Sequence, residues 1–321
     1  CQILVNAGNI LSHIGRLVEA IDYWHRALKI LPNFGMAIGN LGFGYEVYAK
    51  TLYDPGHAVT ILKHAYDTLN SVAEDNVLWD GYGYETPKSQ MLANANIIAE
   101  HVDFSQLENF DLHGFSLGKS KGEQQYRKWC LSVGLFINPL NELGPFNIAA
   151  QDVLHLPNMI TDAGESPYLI GFYNQLKQEY CSARYTLWQG VRHSESYKKH
   201  YSDHDILLID TLDYPEYSYT TEQIKIAFRS AYSLFDKIAF FINEYWLLGI
   251  PENRVNFQSV WSIYDKKSKS KKLRSEFETH PNLSLRGLYW LSKDFIEEDI
   301  SLKVALLLPF RANENDSIKY K

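Results

Sequence analysis

Long apolar runs are missing from this sequence. The two richest stretches, "VALLLPF" at 304–310 and "IAFFINEYWLLGI" at 238–250, fall short of the roughly 18 residues a bilayer span requires, and Asn243 and Glu244 interrupt the second. A soluble chain with no membrane partner is expected. Cysteine is scarce too: Cys1, Cys130 and Cys181 are widely spaced, without a Cys-x-x-Cys pair, which argues against a disulfide framework and a cysteine zinc site. A reducing, cytoplasmic setting suits such a chain. Net positive charge is also lacking. At −7, the surface is not built for sequence-independent nucleic-acid binding, so any RNA contact has to come from a local patch. Position 1 is cysteine rather than methionine, with no charged n-region or signal-type apolar segment behind it. This reads as a fragment or an incomplete frame; a lipid-modified N-terminal cysteine is the alternative. Apolar content is ample, since 321 residues at 45% hydrophobic supply cores for about two domains.

Internal repeats organise the beginning. "LVNAGNILSHIGRLVEAIDYWHRALKILP" places Ala7, Gly8, Leu11, Ala20, Trp24, Ala27 and Pro32 at the small, aromatic and proline positions of a tetratricopeptide repeat. Gly8, Ala20 and Ala27 let two helices approach, Leu11 and Trp24 fill the space between them, and Pro32 ends the second helix. A second copy carries Leu41, Gly42, Tyr45, Ala58 and Ala65, with a longer inter-helix turn expected around "LYDPGH". An ordinary pair of helical hairpins is the alternative. Because about three repeats are normally needed for a stable solenoid, further repeats are expected upstream.

Residues 71–165 read as a mixed connecting region. "SQMLANANIIAEHV" returns to helical spacing, "SLGKSKGEQ" reads as an exposed loop, and "YRKWCLSVGLFINPLNELGP" as a short helix ended by Asn138-Pro139. From Ser166 the pattern sharpens. Leu169, Phe172, Leu176, Tyr180, Ala183 and Leu187 recur at helical steps, and after a polar connection Ile224, Ala227, Ala231, Leu234, Ile238, Phe241 and Tyr245 mark a second long helix. That helix is expected to begin at Thr220, with Gln223 completing a capping box, and to end at Gly249 and Pro251. A third helix, "LRGLYWLSKDFIEE", is expected to pack through Leu285, Leu288, Tyr289 and Phe295.

The phrases "YRKWCLSVGLFINPLNELG", "DVLHLPN", "DILLIDTLDYPEYS", "KIAFRSAYSLFDKIAFFINEYW" and "LRGLYWLSKD" resemble a bacterial branch of the HEPN superfamily, named after a spirochaete locus, in which a HEPN helical domain follows tetratricopeptide repeats. The resemblance covers roughly residues 120–298. It implies an all-α bundle, often dimeric, in a superfamily rich in RNA-cleaving toxins and phage-defence effectors that also has inactive members. In active members an arginine and a histidine, separated by four to six residues, project from the final helix. The histidine takes the proton of an RNA 2'-hydroxyl and the arginine holds charge on phosphate, without a metal or other cofactor. Downstream of "LRGLYWLSKD" this chain offers Arg311 with no histidine after it. Catalysis is therefore expected to be lost or truncated.

Several constellations compete for a role. Arg274 and His280 have the family's spacing but lie upstream of the third helix, and Pro281 disfavours a helix there. A solvated basic loop is the plainer reading. Lys266, Lys267, Lys269, Lys271 and Lys272 are candidate phosphate contacts, set against the same flexible run. His200 and His204 have helical ligand spacing within a cluster that includes His193, Asp203 and Asp205, yet lack a His-Glu-x-x-His arrangement. A polar connection between helices is the alternative to a metal site.

The fold expected is all-α: tetratricopeptide-type hairpins over 1–70, a mixed connection over 71–165 and an antiparallel HEPN-like bundle over 166–321. The expected function is a HEPN-type toxin or phage-defence protein, ancestrally a metal-independent endoribonuclease and inactive or truncated in this chain. Candidate partners are RNA, a protein or peptide held by the repeats, and a second copy through the bundle. The alternative is a non-catalytic protein-interaction adaptor.

Overall fold

The computed structural model describes residues 1–295, apart from 80, 82, 108–109, 161–163, 165, 196–198, 210–211, 213–215, 266 and 268 and the side chains of 106 and 195. Among the described residues it holds ten α-helices and one two-stranded antiparallel sheet, an all-α architecture. By internal contact the chain forms two compact units. One comprises Cys1–Leu154 with the described part of Phe277–Lys321, and the other is His155–Glu276.

The first unit opens on two helical hairpins, α1 (Gln2–His13) with α2 (Leu17–Ile30) and α3 (Gly35–Thr51) with α4 (Pro55–Asn70). Trp24 of α2 is their common core. A Cβ at Gly8 of α1 would fall 2.5 Å from its indole nitrogen, and one at Gly44 of α3 would fall 2.2 Å from the far edge of its ring. Glycine is required at both positions because the ring fills the space a side chain would take. The indole N–H donates to Asn9 Oδ1 at 3.1 Å, so the buried donor is satisfied. The turn between α3 and α4 is no longer than the first, at Leu52–Asp54; the extra residues lengthen α3, and Asp54 caps α4 by accepting from His57 N–H ahead of Pro55.

Helices α5 (Glu85–His101) and α6 (Lys121–Ser132) follow. Ser120 caps α6 by accepting from Glu123 N–H, so helix begins where a loop was expected. It ends at Ser132 rather than Asn138, because Gly134 turns to φ +63. The following 3₁₀ turn, Pro139–Leu143, buries Leu140 and Leu143 in the same core. Its Glu142 carbonyl accepts from the Tyr45 hydroxyl at 3.0 Å and from His25 Nε2–H at 3.1 Å.

The second unit is built on α7 (Tyr168–Glu195) and α8 (Tyr219–Tyr245). Contacts pair His193 with Gln223, Gly190 with Ile224, Glu179 with Lys237 and Phe172 with Phe240, so the two helices run antiparallel. Asp203 and Ser218 start α8: both Asp203 carboxylate oxygens accept from Tyr219 N–H, at 3.1 and 3.0 Å, and Ser218 accepts from Thr221 N–H. Gln223 is no capping-box partner; it is buried and donates to the Tyr219 hydroxyl at 2.8 Å. At the other end α8 stops at Tyr245, short of the expected Gly249, as Leu247 turns left-handed at φ +50, and Asn243 makes a reciprocal pair with the Ile250 backbone, at 3.1 and 3.0 Å.

A β-hairpin follows, β1 (Ser262–Asp265) and β2 (Ser270–Leu273), then the short α9 (Ser275–Glu278) and α10 (Leu283–Lys293). Helix α10, read from sequence with the C-terminal bundle, packs on the α1–α2 turn inside the first unit. A Cβ on Gly287 would meet the Gly15 carbonyl at 2.4 Å, and one on Gly15 would meet the Leu283 carbonyl at 2.2 Å. Arg16 Nη1 pairs with Asp294 at 2.8 Å across this contact. Two glycines and one long-range ion pair thus dock a helix more than 260 residues downstream.

Two predictions follow from this core. Trp24→Ala should cost about 3–5 kcal/mol, read as a lowered denaturant midpoint. Burial and the nearby Asp22 carboxylate push Glu142 up from 4.5 to about 7. Between those values the unfolded chain ionises while the folded one keeps its proton, so stability falls with rising pH by an amount on the order of 3 kcal/mol. His25, which burial lowers, works in the opposite sense up to its ordinary 6.5. The difference between wild type and Glu142→Gln isolates the carboxyl, and an unchanged pH slope in that variant would refute the assignment.

Candidate functional site

Residues 262–265 and 270–273, on either side of the lysine-rich turn, pair as antiparallel strands. Ile263 lies opposite Lys272, Tyr264 opposite Lys271 and Asp265 opposite Ser270. Asp265 holds the turn together, since its carboxylate accepts from Lys267 N–H at 2.9 Å and pairs with the Lys272 ammonium. Lys267, Lys269 and Lys271 are exposed. Lys269 adopts φ +51, a left-handed conformation that lysine reaches only at steric cost. The stretch expected as a flexible basic loop is therefore largely hairpin, while Lys266 lies outside the described residues. Tyr264, 63% exposed beside these cations, was not singled out from sequence. Its "SIYD" context was the available signal, a short β-branched and aromatic run before a polar turn.

Arg274 closes the base of the hairpin. Its backbone N–H donates to the Trp261 carbonyl and its Nε–H to the Val260 carbonyl, both at 2.9 Å. His280 comes after α9, and its Nδ1 accepts from Asn282 N–H at 3.2 Å beside the cap of α10. Since α9 spans only Ser275–Glu278, one residue precedes it and the other follows it. They do not share the helical face that an Arg-His nuclease pair uses.

His200 and His204 flank a 3₁₀ turn, Tyr201–Asp203, instead of stacking one α-turn apart. His200 Nδ1 accepts from Ser202 N–H at 3.3 Å, and its ring stacks on Tyr219 at 4.4 Å between centroids. His193 donates from Nδ1 to Gln223 Oε1 at 3.3 Å. The cluster joins the end of α7 to the start of α8. No group of three or more histidine, cysteine, aspartate or glutamate side chains among the described residues is arranged to hold a metal ion.

A fourth feature is an apolar face. On α8, Phe228 and Tyr232, one turn apart, are exposed, Phe228 at 68%. Centroids 6.0 Å apart join Phe228 to Tyr232, 6.1 Å join Tyr232 to Phe235, and 4.9 Å join Phe235 to Phe257. This ladder runs from solvent toward buried Trp261, whose ring centroid is 6.0 Å from that of Phe257. No helix among the described residues is long and apolar enough to cross a membrane.

Residues 160–315 match the family model described as LA2681-like HEPN, which takes in α7, α8, the hairpin, α9 and α10. No curated protein and no solved structure matches the chain.

The geometry predicts that His280→Ala is nearly silent. A positioned general base is typically worth about 10² to 10⁴ in rate, and His280 does not share a helix with Arg274 from which to act as one. An EDTA-resistant cleavage rate that collapses in this variant at unchanged melting temperature would make His280 the base after all.

Proposed function

We propose that this chain, which belongs to the HEPN superfamily through its LA2681-like segment, is a toxin or phage-defence protein of that superfamily. In this reading it engages RNA in the cytosol with little or no cleavage of its own. The family match carries the assignment. Metal-independent cleavage needs a base for the 2'-hydroxyl and a cation for the phosphate, delivered together. Arg274 is bonded to the Val260 carbonyl, and it does not share a helix with His280. Downstream, Arg311 lies outside the described residues; after four to six intervening residues the sequence has Asp316, Ser317 and Ile318 in place of a histidine. The N-terminal hairpins, as tetratricopeptide-type repeats, would hold a protein or peptide partner and act as the sensor.

The exposed Phe228 and Tyr232 support a second element, a homodimer through α8. The same face favours the rival reading, a non-catalytic adaptor whose contacts are all with proteins.

One preparation tests both. Light scattering at micromolar concentration should give a dimer mass that falls toward the monomer in Phe228→Glu; a monomeric wild type sinks the dimer. Incubated with RNA in EDTA, the protein should bind without generating 2',3'-cyclic phosphate ends. Turnover to such ends would show a working active site that this reading lacks. Tight protein association with no affinity for RNA would establish the adaptor instead.

A further inference from the structure

The chain carries a net charge of −7, yet all six charged residues between 266 and 274 are cations. The hairpin sorts them. Lys272 pairs with Asp265, and Arg274 is bonded to the backbone at Val260. Lys267, Lys269 and Lys271 are exposed and form no ion pair among the described residues. Tyr264 stands directly opposite Lys271 in the register, which puts the ring and the ammonium stem on one face of the hairpin, and the ring is 63% exposed.

We propose that this hairpin is a binding site for single-stranded RNA, with a base stacked on Tyr264 and the neighbouring phosphates tracked by Lys271 on the same face and by Lys267 and Lys269 in the turn. It deepens the RNA reading above by saying which part of the chain holds the strand. A polyanion is the complement of three unpaired ammonium groups on an otherwise acidic protein. The aromatic ring separates a nucleic acid from an acidic peptide, because bases stack on a tyrosine face and carboxylates gain nothing from it. The ring also separates single strand from duplex, where the base faces are already stacked on each other. Sequence preference should be weak, since every base offers such a face. Lysines supply charge without the bidentate geometry that reads base edges. The hairpin thus holds a strand rather than selecting a sequence.

The probe is a short fluorescein-labelled oligouridine with 2'-O-methyl groups, which cannot be cleaved through the 2'-oxygen, so binding is measured apart from nuclease activity. Anisotropy of the full chain should show binding whose log–log salt slope is about −2, three phosphates at roughly −0.7 each. Tyr264→Ala should weaken it by about 5- to 150-fold at an unchanged slope, and Tyr264→Phe should restore it. Lys271→Gln and Lys269→Asn should each flatten the slope by about 0.7; asparagine tolerates the left-handed conformation at position 269, so the turn is kept. Circular dichroism and melting confirm that each variant folds. Wild-type affinity in the Tyr264 and lysine variants overturns this site while leaving the RNA reading standing. No binding by wild type removes both. Displacement by polyglutamate, with Tyr264→Ala silent, shows an acidic protein to be the ligand and overturns the proposal.

Discussion

The seating of one indole ring governs the N-terminal half of this protein. Trp24 can lie against α1 and α3 only because Gly8 and Gly44 present bare backbone to it. A bulky ring between two glycines fixes both the distance and the rotation of the helices, since no smaller side chain fills the space and no larger neighbour leaves it open. The consequences extend outward. With α3 held against α2, Tyr45 and His25 converge on the Glu142 carbonyl, and the 3₁₀ turn at Pro139–Leu143 can bury Leu140 and Leu143. Glycine pairs recur where α10 meets the α1–α2 turn, through Gly15 and Gly287. Close approach without side chains is the construction rule of this unit.

The second unit follows a different rule. Its two long helices are joined by aromatic and aliphatic packing along their length, and polar groups work at their ends. Asp203 takes up a backbone N–H at the start of α8, Asn243 closes its finish, and the Lys237 ammonium holds the Glu179 carboxylate below its ordinary range midway along. Buried and bonded Asp203 and Asn243 specify one register of packing, because any slip would leave them without partners. The apolar remainder, around Phe228 and Tyr232, faces solvent. Chemistry-bearing residues therefore sit at the margins of the helices, in the histidine cluster and on the hairpin.

That placement explains why spacing alone misleads at Arg274 and His280. Five intervening residues are compatible with a shared surface if the backbone is helical throughout, but here strand, a four-residue helix and a proline turn succeed one another. The arginine becomes a structural donor to Val260 and the histidine an acceptor beside a helix cap. The same residue types in the same order have been given local backbone work.

Sequence by itself determined the helices. The recurrence of Leu169, Phe172, Leu176 and Ala183 and the small residues at Gly8 and Ala20 are local signals, each read within a few turns of chain. Tertiary structure decided the rest. The β-hairpin was hidden because four-residue strands carry too short an alternation to outweigh a run of lysines. The start of α8 at Ser218, with Gln223 buried against Tyr219, depended on Asp203 arriving from an earlier turn. The docking of α10 on Gly15 joins residues more than 260 positions apart. A periodic pattern states that a face will be buried; the partner of that face is set by which distant backbone comes close enough, and no local pattern encodes that.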